Sequence, residues 1–172
     1  GMNVTEPRSV VATGGKYGFP DHDGDTPDTM QVVYDYGTFS VLWEQSLGTV
    51  RGPYDRDHGV AFIGNNGTVV IDRSKWEVLP EIEGSKYLTP AMPPQRGDGK
   101  DLDRHTRNFI DCVRSRQQPN CPAEVGRNVA LHAQLGNIAY RTGRKLVWDK
   151  GSIVGDAAAQ QLTRATYRTP WA

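Results

Sequence analysis

The sequence has no excess of charge and no long apolar run. Its 172 residues contain 20 basic and 20 acidic side chains, so the formal net charge is zero. Proteins that bind nucleic acids usually present a basic face to the phosphates. No stretch approaches the ~20 apolar residues of a membrane-spanning helix, and no signal peptide is predicted. We therefore expect no nucleic-acid partner and no membrane partner, with a cytoplasmic location as the default.

Cysteine frameworks and compact catalytic motifs are also missing. The two cysteines, Cys112 and Cys121, do not form a Cys-x-x-Cys pair, and we expect free buried thiols. No Gly-x-Ser-x-Gly elbow, phosphate loop or Gly-x-Gly-x-x-Gly after a strand occurs. The glycine-rich string at 64–67 joins two predicted strands, so it cannot present a helix N-terminus to a pyrophosphate. The sequence predicts no self-contained active site and no cofactor site.

The first ninety residues instead have the pattern of successive antiparallel strands. Alternating or β-branched segments are separated by glycine, asparagine and proline turns, which is typical of hairpins. The predicted strands are 9–12, 29–36, 39–45, 59–63, 68–72 and 76–79. Asn66-Gly67 favours a primed hairpin turn with positive φ. A loop is expected over 84–100.

Helical periodicity follows that loop. Apolar residues at steps of three, four and seven predict a helix from Asp101 or Asp103, capped by one of these carboxylates and ended by Pro119. A second helix is expected from Pro122 to Gly143, and a shorter one over 156–164. The order of strands first and helices second predicts an α+β fold in one domain, residues 1–172.

Two polar segments resemble metal sites. The acidic loop 21–25 (DHDGD) suggests calcium, but its spacing does not match the calcium loop of a helix-loop-helix site, which needs glycine sixth and glutamate twelfth. The segment 54–58 (YDRDH) offers one imidazole, His58, and two carboxylates. A solvated turn is the default interpretation of each, and no metal site is predicted. His105 and His132 lie on the apolar sides of their helices, where a hydrogen-bonded structural histidine is the ordinary outcome.

Several strings carry a family resemblance. They are 9–15 (SVVATGG), 25–29 (DTPDT), 62–68 (FIGNNGT), 108–116 (NFIDCVRSR), 135–144 (LGNIAYRTGR) and 167–171 (YRTPW). In this order they resemble the C-terminal domain of the Gfo/Idh/MocA oxidoreductases, the glucose-fructose oxidoreductase and inositol dehydrogenase family. The likeness covers nearly the whole chain, and the two helical strings are its most specific parts.

The resemblance implies an open, mainly antiparallel sheet with helices packed on one face. It also implies a Rossmann domain, absent from this chain, that binds NAD(P) in the full-length enzyme. Sugars, inositols or related polyols are the implied substrates. The other sheet face, with Val33 or with Val41 and Trp43, would be available for association with a copy of the chain or with another domain, and a homo-oligomer through this face is expected.

The catalytic motifs of the family cannot be placed. Its Glu-Lys-Pro motif belongs to the Rossmann half, and its Asp-x-x-x-His pair has no match in this sequence. No catalytic, cofactor-binding or metal residue is therefore assigned. Lys16, Asp28 and His105 are the candidates for substrate-facing positions, and this chain is expected not to catalyse a reaction without its Rossmann domain.

Two other functions are compatible with the same residues. The first is a stand-alone binding or scaffold module that keeps the sheet fold without the chemistry. The second is a metal-assisted lyase or isomerase that uses His58 and the acidic loop.

Overall fold

The computed structural model describes residues 2, 4 and 6–170, so Trp171 of the last resembling string lies outside the described residues. The chain forms eleven strands and three α-helices in this part. The strands are β1 Ser9–Gly15, β2 Thr29–Asp35, β3 Ser40–Ser46, β4 Val60–Gly64, β5 Gly67–Ile71, β6 Lys75–Pro80, β7 Ile82–Glu83, β8 Lys86–Tyr87, β9 Met92–Arg96, β10 Leu146–Asp149 and β11 Ser152–Val154. The helices are α1 Asp101–Ser115, α2 Ala123–Thr142 and α3 Ala157–Gln161.

The chain divides into two compact units. The first unit contains Gly1–Gly48 and Cys121–Ala172, and the second contains Thr49–Asn120. The first unit has a five-stranded antiparallel sheet in the order β11-β10-β1-β2-β3. The second unit has a four-stranded antiparallel sheet in the order β4-β5-β6-β9 and a small β7-β8 ribbon.

One face of the five-stranded sheet builds the apolar core. Alternate residues of its strands point to the same side because side chains on a strand repeat every two residues. They meet the buried residues of α2 and α3 in one cluster: Val10, Met30, Val32, Tyr34, Leu135, Ile138, Ala139, Leu146, Trp148, Ile153 and Ala159. On β2 these residues are Met30, Val32 and Tyr34, which share one face as the alternation of the strand predicts.

Helix α2 lies close to the sheet because small residues occupy its inner stripe. A Cβ at Gly136 would lie 2.8 Å from the Tyr34 hydroxyl and 3.2 Å from Val32 Cγ2. Ala139 is fully buried beside it. The helix ends at Gly143, which adopts φ 63° and ψ 22° and caps the last carbonyls, as predicted.

The second unit contains the predicted hairpin of β4 and β5. Gly64 pairs with Gly67, so Asn65 and Asn66 are the two turn residues. Neither asparagine has positive φ, and Gly67 does not either. The prediction of a primed turn at Asn66-Gly67 is therefore wrong in two respects. The turn lies one residue earlier, and its residues do not have the positive φ of a primed turn.

The predicted loop over 84–100 is wrong in part, because it contains β8 and β9. Strand β9 pairs with β6 through Gln95 opposite Trp76 and Met92 opposite Val78. Its Pro93 and Pro94 argued against a strand, since proline cannot donate to a sheet ladder. β9 lies at the edge of the sheet, where a missing donor is tolerated.

Helix α1 forms where periodicity predicted it, but its N-terminus and environment differ. Lys100 occupies the cap position, and no side chain caps the helix. The Asp98 carboxylate accepts the Lys100 amide at 3.1 Å and pairs with Arg104. The cap expected from Asp101 or Asp103 is therefore absent, and α1 has no buried residue.

The predicted α+β class with open antiparallel sheets is confirmed. Helix α2 covers a sheet face, whereas the exposed α1 belongs to the second unit. Both cysteines are free; Cys112 is half-buried and Cys121 is exposed, so the expectation of buried thiols was wrong for Cys121. No helix in the described residues is both long enough and apolar enough to cross a membrane.

Candidate functional site

The candidate site is the loop between β1 and β2, which carries two of the three predicted substrate-facing residues. β1 ends in Gly14-Gly15; Gly14 requires glycine because it lies against the backbone of β2, whereas Gly15 lies against the Tyr17 side chain. A Cβ at Gly14 would lie 2.4 Å from the Thr29 carbonyl oxygen, and one at Gly15 would lie 2.5 Å from the Tyr17 ring. The chain then leaves the sheet for thirteen residues, of which Asp28 is the last, and returns at Thr29.

Asp28 joins the two ends of this loop. Its buried carboxylate accepts the backbone amides of Tyr17, Gly18 and Phe19 at 2.7–3.2 Å, and the Thr29 hydroxyl at 2.7 Å. Desolvation acts to raise the pKa of this carboxyl. The donors, with Phe19 and Thr29 foremost, outweigh desolvation and lower the pKa to about 2. Asp28 is therefore ionised at neutral pH and holds the loop closed.

Two further hydrogen bonds restrain the same loop. The Tyr17 hydroxyl donates to the Gly14 carbonyl at 3.2 Å, and the Lys16 ammonium donates to the His22 carbonyl at 2.7 Å. The Tyr17 side chain nevertheless stays 70% exposed, and Phe19 stays 50% exposed. The loop thus combines a fixed backbone with aromatic rings that face solvent.

The acidic part of the loop is a turn. The His22 imidazole accepts the Gly24 amide at 2.9 Å through Nδ1. The three carboxylates Asp21, Asp23 and Asp25 are exposed. Among the described residues, no group of three or more His, Cys, Asp or Glu side chains is placed to hold a metal ion.

The segment 54–58 contains a buried cation that sequence reasoning missed. Arg56 is 6% exposed and pairs with Asp72 at 3.0 Å and with Glu77. Hydrogen bonds from Ser74 are the main cause of a lowered Asp72 pKa, and Arg56 adds to them. His58 contacts the Asp57 carboxylate at 2.8 Å and is exposed. Arginine among acidic residues was the available signal for this ion cluster.

The two helical histidines differ in their surroundings. His132 contacts Tyr36 through Nε2 and the Asn128 carbonyl at 2.6 Å through Nδ1, and the Tyr34 hydroxyl donates to its carbonyl. Burial, with a smaller effect of Tyr36, raises the pKa of Tyr34 to about 12. This is the structural role expected for His132. His105 is an exposed residue of α1.

The structure brings Lys16 and Asp28 together in one loop, whereas His105 belongs to the other unit. The second unit also has a shallow concavity of about 530 Å³, lined by residues that include Asn65, Asn66 and Thr89. None of the three predicted substrate-facing residues lines it. Which of them face a substrate stays a prediction.

Comparison with solved structures finds proteins with a similar fold. The chain is similar to yvaA of Bacillus subtilis (TM-score 0.57, 17% identity, 84% of this chain and 46% of that one). It is also similar to a protein of Bacteroides fragilis, with a TM-score of 0.56 and 13% identity over 83% of this chain and 48% of that one. A protein of Klebsiella pneumoniae matches with a TM-score of 0.57 and 15% identity over 92% of this chain and 48% of that one. All three are assigned as oxidoreductases.

The coverage is asymmetric. These matches take in most of the present chain, but the chain spans about half the length of the solved structures. At 13–17% identity the similarity concerns the fold. No family model and no curated protein matches the sequence.

Proposed function

We propose that residues 1–172 are the substrate-side and oligomerisation domain of an NAD(P)-dependent oxidoreductase that acts on sugars, inositols or related polyols. The main support for this proposal is the difference in chain length. The similar oxidoreductases contain, beyond the matched part, a further segment about as long as this chain. The resemblance of the helical strings to the Gfo/Idh/MocA family supplies the substrate class. NAD(P) then belongs to the missing Rossmann domain.

The antiparallel strand arrangement supports the assignment of cofactor binding to a different domain. Pyrophosphates of dinucleotides are usually bound at a helix N-terminus that follows a parallel strand. Every strand pair in the described part of the chain is antiparallel. On this proposal the isolated chain binds no dinucleotide and turns over no sugar.

An NADH titration of the isolated chain, followed by nicotinamide fluorescence, tests this division. We expect no saturable change. Binding with micromolar affinity would contradict the proposal, because the cofactor site would then lie in these residues.

The open sheet faces support the oligomerisation part. On the five-stranded sheet the face opposite α2 presents Val11, Val33, Leu42, Val147 and Val154, each 38–61% exposed. On the four-stranded sheet one face presents Val60, Phe62, Val69, Ile71, Trp76 and Met92, each 37–55% exposed. Apolar patches of this kind usually mark association surfaces. We assign them to contacts with a second copy.

Sedimentation velocity with a matched pair of leucines tests this assignment. Leu42 lies on the open face of the five-stranded sheet and is 61% exposed, whereas Leu47 lies in the turn after β3 and is 63% exposed. We expect the wild type to sediment as a dimer or larger species, Leu42→Lys to shift toward monomer, and Leu47→Lys to behave as wild type. A monomeric wild type, or equal dissociation by both variants, would rule the assignment out.

A further inference from the structure

The β1–β2 loop has the construction of a binding element. Its ends meet at Asp28, whose carboxylate collects three consecutive amides from the other end of the loop. The Leu47 amide donates to the Asp28 carbonyl at 2.9 Å, which ties the loop to the end of β3. Compact surface loops closed in this way and packed by their own side chains are frequently functional.

The Tyr17 ring is exposed, but its hydroxyl is hydrogen-bonded. Its hydroxyl is bonded to Gly14, and its edge lies where any side chain at Gly15 would clash. An aromatic ring of a folded domain normally gains stability by burial, yet 70% of this residue faces solvent. An exposed ring whose hydroxyl is hydrogen-bonded can offer its face to a flat apolar ligand.

Lys16, the residue directly before Tyr17, adds hydrogen-bond donors to the same loop. An ammonium group has three donors, and the His22 carbonyl occupies one of them. Two donors remain, and hydroxyl oxygens of a ligand are suitable acceptors for them. Cyclic sugars and inositols combine the two features that this pair recognises, a C–H face and a rim of hydroxyls.

We propose that Tyr17 is the stacking platform for a cyclic sugar or inositol ring, that Lys16 binds its hydroxyls, and that Asp28 is the positioning residue of both. This inference rests on the proposed function for its substrate class. It also changes the role of Asp28, because a carboxylate that already accepts four donors positions the loop and does not itself bind the substrate.

The test is an amide-resolved NMR titration of the ¹⁵N-labelled chain with millimolar myo-inositol, D-glucose and the acyclic polyol sorbitol. The two cyclic ligands should shift the amides of Tyr17–Phe19 in a saturable way, and sorbitol should bind more weakly. Tyr17→Ala should weaken myo-inositol binding at least about tenfold. The matched control is Tyr87→Ala, since Tyr87 is 59% exposed on β8 in the second unit.

Asp28→Asn tests the positioning role, with exposed Asp149→Asn as the charge-matched control. We expect Asp28→Asn to reduce the preference for myo-inositol over sorbitol while the amide shifts of α2 remain unchanged. A purely structural role for Asp28 would lower stability and leave that preference intact.

Absence of ligand-dependent shifts at Tyr17–Phe19 in the wild type would overturn this inference. The NADH titration of the same sample tests the division between domains separately. If neither the amides of Tyr17–Phe19 nor the nicotinamide fluorescence respond to their ligands, the binding role of the loop is refuted and the proposed function is not.

Discussion

The two units of the molecule are stabilised by different means. In the first unit, eleven buried residues form one apolar cluster between a sheet face and the helices. In the second unit, the buried residues are Val70, Thr68 and Arg56, and the cation is paired with two carboxylates. Burial of apolar area is the dominant favourable contribution to folding, and a buried ion pair is weak evidence for stability. The first unit therefore has the larger apolar core and the greater capacity to fold on its own.

The largest expected effect is a cavity in the apolar cluster. Leu135 is 1% exposed, and Leu135→Ala should lower the free energy of unfolding by about 2–5 kcal/mol. Leu102→Ala in α1, where the leucine is 75% exposed, should change it by less than about 0.5 kcal/mol. Urea unfolding followed by circular dichroism measures both. Similar losses of unfolding free energy in the two variants would mean that Leu102 contributes to the stability of the second unit as much as Leu135 does to that of the first.

A matched pair of glycines in α2 probes the contact of helix and sheet. Gly136→Ala should cost about 1–3 kcal/mol, because the added methyl meets Tyr34 and Val32. Gly126→Ala, with open space around the added methyl, should gain about 0.5–1 kcal/mol from helix propensity. Thermal unfolding of both variants gives the comparison. A stabilised Gly136→Ala would show that the packing is looser than described.

The ion cluster of the second unit is tested by hydrogen exchange. Arg56→Met leaves the carboxylates of Asp72 and Glu77 without their cation, so amide protection in β4–β6 should fall about tenfold or more. Arg51→Met removes a pair between side chains that are 82% and 73% exposed, and it should change protection little. Protection in β1 and β2 should stay constant in both variants. A fall there as well would make the two units one cooperative structure.

The smallest effect is the pH dependence that comes from Asp28. Its folded pKa of about 2 lies below the ordinary value of 3.8. A carboxyl with a lowered pKa adds stability above its unfolded pKa, and this contribution disappears as the pH falls toward the folded value. Asp28→Asn should therefore lower the melting temperature at pH 7 and have little effect near pH 2. A constant difference over this range would mean that the carboxylate charge does not stabilise the loop.

Much of the fold could be predicted from periodicity and turn chemistry. The alternation of Met30, Val32 and Tyr34 places these residues on one face of β2, and Gly143 marks the end of α2. β9 could not be predicted, because Pro93 and Pro94 contradict a strand unless its edge position is known. The Asn66-Gly67 turn was misplaced because pairing register, which depends on both strands, decides which residues turn.

Less of the candidate site could be predicted. Lys16 and Asp28 were named from the sequence, but the closure of the loop by Asp28 depends on amides nine to eleven residues away. The Arg56 cluster joins residues that are 16 and 21 positions apart. Contacts between side chains and distant backbone leave no periodic pattern. The sequence therefore indicates the participants and not their geometry.

The two prolines of β9 have a consequence for how the second unit can associate. Pro93 and Pro94 have no backbone N–H, so the outer edge of this strand cannot offer a regular ladder to an added strand. Growth of the sheet into a fibre-like stack is thereby obstructed on that side. In the proposed oligomer, contact with a second copy therefore uses the apolar face of the sheet, and assembly stops once two such faces have met.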